Sequence, residues 1–430
     1  MSVSVSHLVL RAKQLEIEAV RHLAARVELA DLIGQMIHAI QRERGASSIF
    51  VASGGQRFGP ARQSAIDDAV AVETKVRGLF EQHLAPEQGT SARMLSLMAW
   101  VLLDLDALAD LRQQIAQRSL SAHDTVAAFS RIIAGLVELI FHLADSAGHP
   151  DISRRMVAFV HLVQGKEAAG QERAVGAQLF ASASFTEDQQ QRIIHLIDAQ
   201  EHNLRVFDEF ADGELRARWQ QHQLTPNVAQ LERLRRTLCT ARAGATLDTR
   251  LSDTWFEVCS DRIAEMEQLQ TALVQCLRQA CEAHIAAAQQ DLQDAEGLLQ
   301  RLRDNPPAHI HAVARFFNPS ETPQAAPVLG TDPASVSSLV DLLQTQSARL
   351  ARMEVELDTA RRALHERKVI ERAKGALMSR LGLTEEAAFR ALQKASMDHN
   401  RRLLDVAEAT LALPDIAFAA MGAKGDAHQA

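Results

Sequence analysis

The sequence predicts an all-α protein, in which up-down four-helix bundles are followed by a coiled coil and a small three-helix bundle. The first reason is composition: glycine and proline are 31 of 430 residues, about 7% against a usual ~12%. There are 18 aromatic residues and no tyrosine, whereas sheets favour aromatic and β-branched side chains. The second reason is periodicity. Apolar residues from Met94 to Leu108 recur at steps of three and four, which is one face of a helix.

Helix-breaking residues divide the chain into five predicted segments. Breaks near Gly54, Pro86, Pro150 and Pro226 separate roughly eight helices, enough for one or two four-helix bundles. Six of the eleven prolines lie between 306 and 333, which indicates a semi-rigid linker. The segments are a helical region (1–302), a linker (303–335), a coiled-coil helix (336–366), a three-helix module (367–414) and a tail (415–430).

A heptad repeat follows the linker. Its leucines recur every seven residues: Leu343, Leu350, Leu357 and Leu364. Arg349 and Glu354 occupy g and e positions, and Glu356 and Arg361 repeat the pair with opposite signs. Both pairs attract across a parallel two-stranded coiled coil, so we predict a homodimer through residues 339–364. The alternative is that this helix packs on its own chain.

Positive charge is concentrated in the last module. The chain has a net charge of −8, but residues 367–413 hold nine Lys/Arg and six Asp/Glu, a net of +3. A basic module on an acidic protein favours nucleic-acid binding. The predicted RNA-binding residues are Lys374, Arg390, Lys394, Arg401 and Arg402, with His399 and Asn400 as further base contacts. The alternative for each is a solvated surface residue.

Several function classes find no support in the sequence. The longest nearly apolar run has about ten residues, whereas a spanning helix needs roughly 20, so we expect a cytoplasmic protein without a membrane segment. The four cysteines form no Cys-x-x-Cys pair, which favours buried thiols. We find no di-iron, zinc or phosphate-loop motif, so we predict no enzyme activity, no metal and no cofactor.

Basic residues interrupt the apolar stripes of the first region. They are Arg44, Lys166, Arg173 and Arg262. Burying an arginine without an anion costs several kcal/mol. One solution is an internal carboxylate, for which Glu43, Glu167 and Glu172 are near in sequence. The other is a small planar oxyanion such as nitrate, nitrite or a carboxylate, whose geometry matches the forked donors of guanidinium.

Two regions resemble known families. The runs VIERAKGALM (369–378) and GLTEEAAFRAL (382–392), completed by residues 400–407, resemble the ANTAR RNA-binding domain. The region from about 30 to 280 is similar to the nitrate- and nitrite-sensing NIT domain. The residues that carry this similarity are Arg44-Gly45, Glu172-Arg173-Ala174 and Trp255-Phe256 leading to Arg262.

These resemblances imply a function. The NIT family implies paired four-helix bundles that bind nitrate or nitrite through arginines, matched here by Arg44, Arg173 and Arg262, with Arg42 as a further candidate. The ANTAR family implies binding to hairpin loops of a leader mRNA, which prevents termination upstream of nitrate-assimilation genes. No receiver domain is recognisable, so we expect a ligand rather than phosphorylation as input. The alternatives are another small carboxylate or anion as signal, a helical metalloenzyme, or a coiled-coil scaffold without RNA.

Overall fold

The computed structural model describes residues 5–85, 89–145, 149–182, 186–242, 246–304, 357–358, 362, 365–381, 383, 385–398 and 401–412. Every regular element in these ranges is an α-helix, which confirms the predicted fold class. Nearly all of the predicted linker and coiled-coil helix, and the whole tail, lie outside the described residues. The predicted coiled-coil dimer therefore stays a prediction.

Nine helices lie in the described part of the first region. They are α1 (Val5–Ala52), α2 (Gly59–Gln82), α3 (Ala92–Ala116), α4 (Ala122–Asp145), α5 (Pro150–Ala181), α6 (Glu187–Phe210), α7 (Gly213–Gln223), α8 (Pro226–Thr240) and α9 (Leu251–Asp304). Most of the predicted breaks fall where a helix ends or begins. Gly54 and Gly55 follow α1 with φ of 65° and 86°, and Pro150 and Pro226 occupy the first turns of α5 and α8, where their missing N–H is not needed.

The first bundle consists of α1 to α4. Ser91 caps α3 by accepting a hydrogen bond from the Met94 backbone N–H at 3.2 Å. The stripe from Met94 to Leu108 is buried, as its periodicity predicts. By length and composition, α4 could cross a membrane, and it is the one such helix in the described ranges. Several of its apolar side chains, among them Phe129 and Leu139, are buried in the bundle core.

The second bundle consists of α5, α6, α8 and α9, with the short α7 beside it. α9 runs antiparallel to α1, since Arg278 pairs with Asp31 at 2.6 Å and Lys13 pairs with Asp291 at 3.2 Å. α1 and α9 are long enough to contact both bundles. Arg44, near the end of α1, thereby lies close to Arg173 of α5.

A polar layer separates two hydrophobic clusters in this bundle. On α5 the first cluster reaches Ala169 and the second begins at Leu179. On α9 the second cluster includes Trp255, and the first resumes at Ile263. The indole of Trp255 lies against Gly176, where an added Cβ would be 2.2 Å from its Cε2 atom. The predicted anion-binding arginines of α5 and α9 lie between these clusters, where charged side chains replace apolar packing.

The last module contains the three predicted helices: α10 over 365–381, α11 (Glu385–Asp398) and α12 (Leu403–Ala412). Its small core includes Ile370, Ala373 and Leu392. The module lies against α6 of the second bundle. The ring centroids of His195 and Phe389 are 4.9 Å apart, and Lys368 Nζ lies 3.2 Å from the Asp145 carboxylate at the end of α4.

Candidate functional site

The charge of Arg44 is matched by a carboxylate. The Arg44 side chain is 1% exposed near the end of α1, and its two terminal nitrogens donate to the two oxygens of Glu167 on α5, Nη2 to Oε2 at 3.1 Å. Nη1 also donates to Ser130 Oγ on α4 at 2.8 Å. Glu167 accepts two further bonds, from Gln41 and Gln171, at 2.7 and 2.8 Å. This forked pair gives each charge an opposite charge at hydrogen-bond distance.

Arg173 lacks such a partner. Its Nη1 donates to the neutral Ser260 hydroxyl on α9 at 3.0 Å, and its guanidinium carbon lies 4.7 Å from the Phe256 ring centroid. No carboxylate in the described part of the chain pairs with it. Burial, and then the nearby charge of Arg44, lower the pKa of Arg173 to about 10. It therefore remains a cation at neutral pH, and its charge is not compensated.

The three carboxylates that could neutralise Arg173 from within the sequence are all engaged. Each pairs with another arginine: Glu43 with Arg112, Glu167 with Arg44, and Glu172 with Arg235. The internal-carboxylate hypothesis thus accounts for Arg44 and does not account for Arg173. With Glu167 counted, the Arg44–Arg173 cluster carries one net positive charge, which suits a monovalent anion.

Two glycines allow the arginines to approach. A Cβ added at Gly45 would lie 3.0 Å from Arg173 Nη2, and one added at Gly170 would lie 2.7 Å from Arg44 Nη2. Each guanidinium therefore covers a glycine of the other helix. Ser47, one turn after Arg44 on α1, is fully buried, and its Oγ has no hydrogen-bond partner within the described residues. The cluster thus contains an unused hydroxyl on the helix face that carries Arg44.

Sequence reasoning missed Arg235, which is part of the same polar layer. It is 4% exposed on α8 and forms two bonds to Glu172, Nε–Oε1 at 2.7 Å and Nη2–Oε2 at 2.6 Å. It also donates to Gln200 of α6 at 3.0 Å. Although burial opposes it, the charge of Glu172 raises the pKa of Arg235. Arg235 lies between Leu231 and Leu238 on an apolar stripe, so the criterion that found Arg173 could have found it.

Lys166 is a fourth buried cation, and its charge is compensated. It is fully buried, and its Nζ donates to Glu267 and, at 2.6 Å, to Gln270 Oε1, both on α9. His38 of α1 also contacts Glu267 at 3.1 Å. Although burial opposes it, hydrogen bonding from His38 and the charge of Lys166 lower the pKa of Glu267 to about 2. This cluster is a structural junction of α1, α5 and α9.

The other two predicted anion ligands lie outside the Arg44–Arg173 cluster. Arg42 is half exposed and pairs with Asp68 on α2 at 2.8 Å. Two residues along a helix correspond to a rotation of about 200°, which turns Arg42 away from the face of Arg44. Arg262 is 6% exposed, but it lies under α7 and α8, where it donates to Gln223 Oε1 at 3.3 Å.

The predicted RNA-binding residues divide into three groups. Lys394, Arg401 and Arg402 are exposed, as a surface that binds phosphates requires. Arg390 lines a groove between the module and α6, opposite residues that include His195. Lys374 differs from the others, because it is 6% exposed and its Nζ pairs with Glu371 at 2.9 Å on the same helix. Its role in RNA binding stays a prediction. His399 and Asn400 lie outside the described residues.

Metal chemistry finds no candidate in the part of the chain that the structure describes. No group of three or more His, Cys, Asp or Glu side chains there is arranged to hold a metal ion. The four cysteines are free thiols, of which Cys259 and Cys281 are buried. The buried cations and their glycine neighbours are thus the strongest candidate site.

Comparison with known proteins identifies two domain families in this chain. Residues 35–278 match the family model described as nitrate and nitrite sensing (NIT), and residues 358–411 match the ANTAR domain model. The chain is 29% identical over 401 residues, 93% of each protein, to the nitrate regulatory protein of Klebsiella oxytoca. It is 37% identical over 82 residues to the transcriptional regulatory protein PdtaR of Mycobacterium tuberculosis, which is 18% of this chain and 40% of that protein.

The fold is also similar to a solved structure, that of the NasR transcription antiterminator. The TM-score is 0.60 at 28% sequence identity, and the match covers 93% of this chain and 96% of that chain. Both the helical bundles and the small C-terminal module are therefore found together in a protein of known structure.

Proposed function

Because the chain belongs to the nitrate- and nitrite-sensing (NIT) family and is a nitrate-responsive regulator of transcription antitermination, we propose that its signal binds between Arg44 and Arg173. The signal is nitrate or nitrite. The target of the protein is a leader mRNA. The ANTAR domain binds the hairpin loops of this mRNA and so prevents termination upstream of nitrate-assimilation genes. The input is a ligand, and sensor and effector lie on one chain.

The uncompensated charge of Arg173 carries this proposal. A buried guanidinium is stabilised most by a planar oxyanion that accepts two of its hydrogen bonds. Arg173 donates one hydrogen bond to a neutral hydroxyl and stacks on Phe256, so its other donors remain for a ligand. Arg44, on the facing helix, is the second cation that such an anion would contact. Each is held in place by other side chains, so little side-chain entropy is lost on binding.

The effector surface is the exposed basic side of the ANTAR domain. Lys394, Arg401 and Arg402 are exposed, although Arg402 pairs with Asp405 at 3.0 Å, whereas Arg390 faces the groove at α6. Sequence-specific RNA binders mostly recognise loops whose bases are unstacked. We propose that this face binds such a loop and that the groove at α6 restricts it in the conformation described here.

α6 touches both the surroundings of the proposed ligand site and this groove. Glu172, next to Arg173, accepts a hydrogen bond from Gln200 of α6. Five residues before Gln200 on the same helix, His195 contacts Phe389 of the ANTAR domain. An anion that draws Arg173 toward Arg44 would change the packing of α5 on α6 and thereby the surface that holds the ANTAR domain. The shift can be no larger than the difference in anion affinity between the two states.

Calorimetric titration of nitrate into the full chain tests the ligand site. We expect Arg173→Gln to lower nitrate affinity roughly 10- to 100-fold, as for the loss of charged hydrogen bonds. Arg42→Gln is the matched control, because that arginine is exposed and paired with Asp68. Unchanged affinity in Arg173→Gln, or an equal loss in Arg42→Gln, would contradict the assignment.

RNA binding with and without nitrate tests the coupling. We expect His195→Ala, which removes a contact to Phe389 without touching the arginines, to raise leader-RNA affinity in the absence of nitrate. A variant that lacks residues 338–430 should bind no leader RNA. If His195→Ala still requires nitrate to the same degree as the unchanged chain, the α6 contact is not what restricts the effector.

The main rival is a different small carboxylate or anion at the same arginines. A panel of nitrate, nitrite, acetate and formate in thermal-shift assays separates them, since a ligand stabilises by RT ln(1 + [L]/Kd). We also propose that the protein is cytoplasmic, is not an enzyme, needs no metal or cofactor, and forms a homodimer through residues 339–364. Metal analysis of the purified protein and light scattering after Leu350→Lys test the last two points.

A further inference from the structure

A groove lies where α11 of the ANTAR domain meets α6 of the sensor. Its volume is about 100 Å³. An enclosed cavity of about 150 Å³ holds benzene, so an open groove of this volume takes a ligand of comparable size. The walls come from α6 and from α11: Gln191, Arg192, Ile194, His195 and Asp198 on the first helix, Arg390 and Gln393 on the second. The groove therefore exists only while the two domains are in contact.

Charged side chains of both signs line this groove. Arg192 and Arg390 supply two cations and Asp198 one carboxylate, which gives a net charge of +1. Arg390 and Asp198 are exposed, and neither forms a hydrogen bond or an ion pair within the described residues. Arg192 is half-buried, and its Nη1 atom lies 3.5 Å from Nε2 of His123 on α4. A ligand that itself carries both signs, with one more negative than positive charge, would complement these walls.

The remaining walls are mostly polar. Gln191 and Gln393 are exposed, and neither forms a hydrogen bond within the described residues. A primary amide can both donate and accept, so these two side chains suit carboxylate and ammonium groups alike. Ile194 adds one aliphatic side chain, and the ring of His195 packs on Phe389 with centroids 4.9 Å apart. The groove therefore favours a small polar ligand with a short aliphatic part.

We infer that the groove between α6 and α11 binds an acidic amino acid, L-aspartate or L-glutamate. Such a molecule has two carboxylates for the forked donors of Arg192 and Arg390, and one ammonium group for Asp198. Its net charge of −1 balances that of the lining residues. A plain dicarboxylate would leave Asp198 without a partner and add a repulsion. A neutral amino acid would leave one arginine without a carboxylate.

A ligand in this groove would oppose the output of the protein. It contacts both domains, so it binds the conformation in which the ANTAR domain lies against α6 and stabilises that conformation. It also occupies Arg390, one of the predicted RNA-binding residues. The acidic amino acid should therefore weaken RNA binding, and RNA should weaken binding of the amino acid by the same factor. This consequence rests on the proposed RNA binding, whereas the site itself does not.

Calorimetric titration of the full chain, without nitrate, tests the ligand class. The probes are L-aspartate, L-glutamate, succinate and L-asparagine, each added alone. We expect at least one of the two acidic amino acids to bind, and succinate and L-asparagine to bind roughly tenfold more weakly, because each lacks one charged contact. The inference is overturned if neither acidic amino acid binds, or if succinate binds as tightly as L-aspartate.

Asp198→Asn and Arg390→Gln locate the site. Each should weaken binding of the acidic amino acid roughly tenfold. Both residues are exposed and lack a partner within the described chain, so thermal unfolding without ligand should not change. Glu201→Gln is the matched control, since Glu201 is exposed on α6 three residues beyond Asp198 and does not line the groove. Equal losses in Asp198→Asn and Glu201→Gln would place the ligand elsewhere and overturn the inference.

RNA binding with and without the acidic amino acid tests its effect on the output. We expect saturating ligand to lower leader-RNA affinity roughly fivefold or more in the absence of nitrate, and to have no such effect in Asp198→Asn. Equal RNA affinity with and without bound ligand would overturn the stabilisation of the contact at α6. Nitrate titration of Asp198→Asn should match that of the unchanged chain. Failure of the groove is thereby distinguished from failure of the Arg44–Arg173 site.

Discussion

The guanidinium of Arg173 lies against Gly45, so that a cation of α5 occupies the space that a side chain at the position after Arg44 would fill. The relationship is reciprocal, because the guanidinium of Arg44 lies against Gly170, three residues before Arg173. Two positive charges approach each other in this way, and the one carboxylate of the cluster, Glu167, pairs with Arg44. A monovalent anion bound here, as we propose, would relieve that repulsion.

Glu167→Gln is expected to leave Arg44 without its counter-ion. Breaking a buried ion pair from one side costs about 3–5 kcal/mol, so the thermal midpoint without ligand should fall. Nitrate should then recover more of the midpoint than it does in the unchanged protein, because it can replace the missing carboxylate. Differential scanning calorimetry across a nitrate series measures both effects.

Glu73→Gln is the control for that change. Glu73 pairs with Arg77, which is 37% exposed, so its loss should cost less than ~1 kcal/mol. An equal nitrate response in Glu167→Gln and Glu73→Gln would show that Arg44 does not contact the ligand.

Gly176→Ala is expected to destabilise the second bundle by about 1–3 kcal/mol, the usual cost of overpacking. The new Cβ would lie 2.2 Å from Trp255 Cε2, and the fully buried indole has no room to move away. Because Trp255 also donates from Nε1 to the Arg173 carbonyl at 3.1 Å, nitrate affinity should fall as well. Urea unfolding gives the stability.

Gly78→Ala should have the opposite sign. A Cβ at Gly78 in α2 meets nothing within 4 Å, so the higher helix propensity of alanine should stabilise by about 0.5–1 kcal/mol. Similar losses in both variants would indicate that helix backbone effects, and not the indole, determine the result.

Stability should fall as the pH is lowered from about 6.5 to 3 because of His161. This side chain is 1% exposed, and its Nδ1 lies 2.9 Å from Asn203 Oδ1. Burial lowers the pKa of His161 to about 3. Between these pH values the unfolded chain therefore binds a proton that the folded chain does not. The free energy of unfolding then changes by up to about 1.4 kcal/mol per pH unit from this group.

Urea unfolding at several pH values checks this slope. His161→Gln should reduce this slope by up to the contribution of one proton. His123→Gln, at an exposed position, is the control. A slope that is the same in His161→Gln as in the unchanged protein would show that His161 is protonated when folded.

Lys394→Gln and Arg401→Gln should each weaken leader-RNA binding with little effect on folding, since both side chains are exposed. Removing one cation that binds a phosphate should also lower the slope of log affinity against log salt by roughly one unit, or somewhat less for single strands. Lys374→Gln should behave differently. It removes a buried partner of Glu371 and should lower the midpoint of thermal unfolding before it affects RNA binding directly.

Much of the fold follows from local patterns. The steps of three and four from Met94 to Leu108 predict one buried helix face, and the prolines at 150 and 226 mark helix starts, because both effects act within a few residues. The same stripes identify Arg44, Arg173 and Arg262 as buried cations. Arg42 does not lie beside them, because two residues of helical rotation direct its side chain to α2. Arg235 was not among the predicted residues, although it lies in an equivalent stripe.

The sequence by itself therefore determined the helical class, the basic C-terminal module and the presence of charged residues in apolar faces, since these depend on period and composition. Only the tertiary structure decided which buried arginines are paired with a carboxylate. Glu43, Glu167 and Glu172 are each within a few residues of Arg44 or Arg173, yet their partners come from α3, α1 and α8. Ion pairing depends on distances of a few ångströms between helices. Those distances leave Arg173 with its charge uncompensated.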